Sequence, residues 1–113
     1  MAEINVAGMT LAEGVVETIV SIAIGNVEGA RLVGGSAQGG PLGVLYGRPG
    51  IQGIEVSANS DETLTIGVHL ETDFGRPMPE VADAARQAVV DAVLTQVGVD
   101  VAAVDVYIDS VQF

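Results

Sequence analysis

The chain has 113 residues, no cysteine, one histidine, and fifteen acidic side chains against four arginines and no lysine, for a formal net charge of −11. That length suits one small domain. The missing thiols exclude disulfides, cysteine nucleophiles and thiolate metal sites, and the charge opposes attraction to nucleic acid or anionic lipid. The start MAEINVAG places Glu3 where a signal peptide would be basic, and no apolar run approaches the ~18 residues of a membrane span. A cytoplasmic chain that does not insert into membranes is therefore expected.

Residues 3–7 alternate Ile4 and Val6 against Glu3 and Asn5, the pattern of a short strand. Thr10-Leu-Ala-Glu13 reads as a capping box opening a helix over about 11–24. On that helix Leu11, Val15, Ile19 and Ile22 share one face, with Ala12, Val16 and Ala23 beside them and Glu13, Glu17 and Ser21 opposite. Gly25-Asn26 ends it. A glycine-rich loop at 34–53 follows, carrying an apolar island of Leu42, Val44, Leu45 and Tyr46.

Residues 54–58 and 63–72 both alternate with period two around the polar turn Asn59-Ser-Asp-Glu62, which predicts a hairpin. Leu64, Ile66, Val68 and Leu70 point to one face, and Thr65, Gly67, His69 and Glu71 to the other. A second helix runs over about 79–97, with Pro79 suited to its first position and Gly98 ending it. The last strand, 103–109, sets Val104, Val106 and Ile108 against Asp105, Tyr107 and Asp109, and its apolar phase flips at Ser110, so it must end or bulge there. The sum is one α+β domain over 1–113. It is a two-layer sandwich in which a small, mostly antiparallel sheet carries both helices on one face, in the order β-α-(glycine-rich arm)-β-β-α-β.

Little chemistry is on offer. A hydroxyl nucleophile needs an activating base, and His69, the one histidine, lies on the polar face of a strand, where a solvated side chain is the simpler reading. Glu71, Asp105 and Asp109 share that face, but no established metal-loop register is present, and no metal or cofactor is expected. Without lysine there is no phosphate-loop lysine. Gly47-Arg-Pro-Gly50 matches the bare spacing of a KH loop, but it precedes a strand and sits in an acidic chain, so no nucleic-acid partner is expected.

The stretch Asp73-Phe-Gly-Arg-Pro-Met-Pro79 holds one of the four arginines and two of the four prolines. The prolines hold Arg76 and Met78 away from helical geometry, which makes a rigid strand-to-helix corner. Arg76 either pairs with a local acid, Asp73 or Glu80, or is a contact residue, with Phe74 beside it. On the second helix Val81, Ala85, Val89, Ala92 and Val93 form the core stripe, while Val90 and Leu94 fall on a polar side beside Asp83 and Gln87. Two large apolar residues there predict a second buried contact, either between two copies of the chain or under Leu45 and Tyr46 of the glycine-rich loop.

In their order, Phe74-Gly75, Pro79-Glu80-Val81-Ala82, Gly98 and Val104-Asp-Val-Tyr107, together with VVETIVSIAIGNVEGA in the first half, resemble the bacterial alkaline shock protein family over nearly the whole chain. The resemblance implies a non-enzymatic protein of envelope and alkaline stress that reaches the membrane through a separate anchored protein partner, and with the second-helix contact it makes a self-associating scaffold, a homodimer, the expectation. Its alternative implication is a regulatory module for a fatty-acid or acetyl-CoA carboxylase enzyme. The chain departs from the family in having Phe74 where tyrosine is common, in its glycine-rich loop, and in lacking the lysine-rich segments of many members.

Overall fold

The computed structural model describes residues 3–33 and 53–112. Among these residues six strands and two helices follow in the order β1 (Glu3–Val6), β2 (Met9–Ala12), α1 (Glu13–Gly25), β3 (Ala30–Leu32), β4 (Ile54–Ala58), β5 (Leu64–Asp73), α2 (Met78–Val97) and β6 (Val101–Gln112). Three of the four strand pairings, β1–β2, β3–β5 and β4–β5, are antiparallel, and β5–β6 is parallel. Both helices pack on one face of the sheet, so the expected α+β sandwich is the architecture observed.

The long strand β5 is the axis of the fold. Along one edge it is paired over its whole length by β6. Along the other, β3 lies opposite Leu70–Thr72 and β4 opposite Leu64–Val68, end to end. His69 bridges the junction: its carbonyl accepts from the Val33 N–H at 2.9 Å and its own N–H donates to the Gly53 carbonyl at 2.8 Å. Gly53 has φ of +89°, and a Cβ there would stand 3.0 Å from the Val33 carbonyl oxygen. The close approach of the two chain segments therefore requires glycine. The loop predicted at 34–53, with Leu45 and Tyr46, lies outside the described residues except for Gly53.

The alternation read from residues 63–72 is fulfilled: Leu64, Ile66, Val68 and Leu70 are fully buried. Val16, Val20 and Ile24 of α1 and Val81, Ala85, Val89 and Val93 of α2 cover them. Each such valine, leucine or isoleucine contributes roughly 1.5–3 kcal/mol relative to exposure. The phase flip at Ser110 is a bulge, since Leu70 pairs Ile108 but Glu71 pairs Ser110, leaving Asp109 as the extra residue. It returns Val111 to the inner side, opposite the buried Thr72.

The N-terminal third differs from the expectation. Thr10 does not cap a helix. It lies in β2, pairs Asn5 across a two-stranded hairpin, and donates its hydroxyl to Asn5 Oδ1 at 2.7 Å. Helix α1 begins only at Glu13, with Ala12 at its N-cap and no side-chain capping bond. The hairpin gives the chain a use for Ile4 and Val6, 7% and 1% exposed, that a capping box would not. The buried face of α1 is also rotated from the one predicted. Val15 and Ile22 are exposed, Ile19 is half-buried, and Glu17, placed on the polar side by periodicity, is buried. The cause is that α1 has valine or isoleucine on nearly every side, so its own pattern does not select which face meets the sheet. The short strand β3 gave no alternation long enough to read.

Candidate interaction surfaces

The corner from Asp73 to Pro79 is tied down on both sides. The Asp73 N–H donates to the Gly29 carbonyl at 3.1 Å and the Phe74 N–H to the Gln112 carbonyl at 2.7 Å, joining the end of β5 to the turn before β3 and to the end of β6. Pro77 caps α2 in an extended conformation, but the helix opens at Met78, which the following proline was expected to hold out of helical geometry, and Pro79 sits in the first turn one position later than predicted. Arg76 folds back over Gly29, where an added Cβ would come within 2.7 Å of Arg76 Cδ at a φ of +82°. Its guanidinium is 3.9 Å from Glu28, a residue far away in sequence and not one of the two local acids. Asp73 instead pairs with Arg31 at 2.8 Å. The arginine therefore lies between the entrance of α2 and the exit of α1, packed over Gly29 and only loosely opposite the exposed Glu28. Phe74, beside it, is 68% exposed.

Val90 lies towards the flank of α2 that faces β6, and Leu94, further round the helix, lies on its outward side with Asp83 and Gln87. Arg86, one turn before Val90, marks that flank by donating to the Val104 carbonyl oxygen at 3.4 Å. The two apolar residues are not equivalent. Val90 packs against the core, whereas Leu94 is 49% exposed. Leu94 stands two turns beyond Arg86, towards the start of β6, whose outer edge pairs with no strand among the described residues.

The opposite flank of α2 faces α1 across a furrow on the outside of the helix layer. A hollow of about 560 Å³ is lined by Ile19 and Ile22 from α1 and by Ala88 and Ala92 from α2, with Asp91, Thr95 and Gln96 at its rim. It shares Asn26 and Ala88 with a second hollow of about 480 Å³, which runs on to Glu28, Arg76, Pro77 and Glu80. Of the six interaction residues predicted from sequence, Arg76 alone lines the furrow. Phe74 is at its corner, Val90 and Leu94 lie outside it, and Leu45 and Tyr46 are outside the described residues. Ile22, at 63% exposure, was missed because periodicity had assigned it to the core.

On the outer face of the sheet His69 stacks on Tyr107, with ring centroids 4.5 Å apart and planes 14° from parallel. Its Nδ1 lies 3.0 Å from Asp109 Oδ2. Glu71 accepts instead from Gln112 Nε2 at 3.2 Å. Glu71 and Asp109 thus have different partners, and the described residues hold no group of three or more metal-ligating side chains. The His69–Tyr107 stack depends on the parallel register of β5 and β6, which no local signal in either strand encodes.

No helix among the described residues is long and apolar enough to cross a membrane. No curated protein and no solved structure matches the chain significantly. A family model does, over residues 2–113: that of the alkaline shock protein 23 family, described by a cell envelope-related function. The match takes in both helices, the corner and the final strand from which the likeness was read, and the chain belongs to that family.

Proposed function

We propose that the protein is a non-enzymatic stress-response scaffold of the cell envelope, acting from the cytoplasm by self-association and by docking to a protein partner, one anchored in the membrane. The observation that carries this reading is the exposed Leu94 on the outward side of α2, a large aliphatic side chain half in water. Covering its remaining exposed half contributes only about 1 kcal/mol per copy. Association costs roughly 4–15 kcal/mol, so the contact extends beyond Leu94, and the outer edge of β6, which pairs with no strand among the described residues, is where it would extend. A two-fold arrangement brings Leu94 and β6 of each copy together. The net charge of −11 keeps nucleic acid and anionic lipid away from the assembly, leaving envelope contact to a protein intermediary.

Sizing chromatography with light scattering, on wild type and on Leu94→Asp, tests the reading. Wild type runs as a dimer and the variant as a monomer with an unchanged circular dichroism spectrum. A wild type that is monomeric at high concentration, or a variant that remains dimeric, removes this surface from the account.

A further inference from the structure

We propose that the furrow between α1 and α2 is a docking groove for an amphipathic helix with basic flanks, carried by a protein partner. The proposal rests on the reading that the protein docks to a partner, and it gives that partner a surface and a chemistry. Two helices on a sheet leave a valley on their outer side, and here the valley is apolar at its base. Ile22 projects into it at 63% exposure, and the α2 wall opposite is alanine. Small side chains on that wall let another helix approach to the 8–10 Å at which helix axes pack. The groove follows α2 from Pro77 to Gln96, roughly 28 Å at 1.5 Å per residue, the length of a helix of five turns.

Charge selects the occupant. Asp91, Glu80 and Glu28 line the groove against one cation, Arg76, which already leans towards Glu28. A second copy of this chain, with no lysine and a net charge of −11, would bring acids to a rim of acids. A partner helix with an apolar ridge and arginine or lysine on either side of it satisfies both the base and the rim.

The probe is a synthetic, fluorescently labelled peptide of about 18 residues, with leucines at i, i+3, i+4 and i+7 spacing and arginines on the remaining face. Binding is followed by anisotropy on the Leu94→Asp protein, so the readout does not depend on self-association. Failure of the dimer reading would leave it intact. The peptide binds, Ile22→Asn weakens it at least about tenfold, and Ala84→Arg, which puts a cation at the mouth, weakens it likewise. Exchanging the arginines for glutamates abolishes binding to the parent, and Glu80→Arg with Asp91→Arg restores it. Both Ile22 and Ala84 are exposed, so circular dichroism stays unchanged. The proposal is overturned if the arginine peptide does not bind, or if it binds Ile22→Asn and Ala84→Arg as tightly as the parent, which would place it elsewhere on the acidic surface.

Discussion

The two helices lie side by side over one sheet face, yet they differ in what they leave in water. α2 is amphipathic: Val81, Ala85, Val89 and Val93 are buried one turn apart, and Asp83, Gln87 and Asp91 face outward. α1 buries Val16, Val20, Ala23 and Ile24 while also presenting Val15 and Ile22 to solvent and placing Glu17 inside. A helix that keeps aliphatic side chains on its outer face forgoes part of the available burial, and such surplus marks a contact made with something other than its own core. On α2 the surplus is Leu94, on its outward side. The helix layer therefore offers two separate apolar features, one on the outward side of α2 and one in the central furrow.

The comparison breaks most readily at the pair Ile22 and Ile24. Ile24 is 1% exposed and Ile22 63% exposed. Ile24→Ala should cost about 2–5 kcal/mol and Ile22→Ala no more than about 0.5 kcal/mol, read as shifts of the urea midpoint. The reverse order would mean that α1 is turned the other way on the sheet. A smaller contrast is expected on α2. Val90→Asp should lose about 1–3 kcal/mol, because Val90 packs on the core, while Leu94→Asp should melt within a few degrees of wild type. Equal losses in thermal melts would make Leu94 a core residue.

The packing of Arg76 on Gly29 gives a third test. Gly29→Ala should cost about 1–2 kcal/mol from its left-handed conformation alone. A further cost, from the clash with Arg76, should disappear in the Arg76→Ala background. Additive losses in that double-mutant cycle would mean Arg76 simply swings aside. The smallest effect is at Thr72, a fully buried residue whose hydroxyl has no hydrogen-bond partner among the described residues. Thr72→Val keeps the shape and removes the orphan, so denaturant unfolding should show it unchanged or more stable by about 1 kcal/mol. A clear loss of stability would show that the hydroxyl is satisfied in solution.

How far the sequence could be read follows the same division. β5 was legible because its alternation is strict and only one of its faces is dry. α2 was legible because charges occupy the side away from Val81 and Val89. The bulge was legible because a period-two pattern cannot flip parity without one. In α1 the same reasoning chose the wrong face, since apolar residues fill both, and the sheet beneath decided between them. Thr10 and Glu13 have capping-box spacing, but Ile4 and Val6 needed cover, and a hairpin with Met9–Ala12 provided it. The contact surfaces were less legible still. Arg76 finds Glu28 and Gly29, and His69 finds Tyr107 and Asp109, through chain crossings that local spacing does not report. Leu94 could be picked out as an aliphatic residue on a polar helix side, but separating it from Val90 required the position of β6.

Methyl-labelled nuclear magnetic resonance spectroscopy tests most directly the claim that α1 and α2 expose two different contacts. In a dilution series of wild type, the Leu94 methyl signals should move with concentration as the dimer dissociates, while the Ile22 methyl signals hold still. On titration with the arginine-flanked peptide the roles should exchange, Ile22 shifting and Leu94 not. If both sets move together in either experiment, the two features belong to one surface, and if neither moves in either, the helix layer is not where this protein makes its contacts.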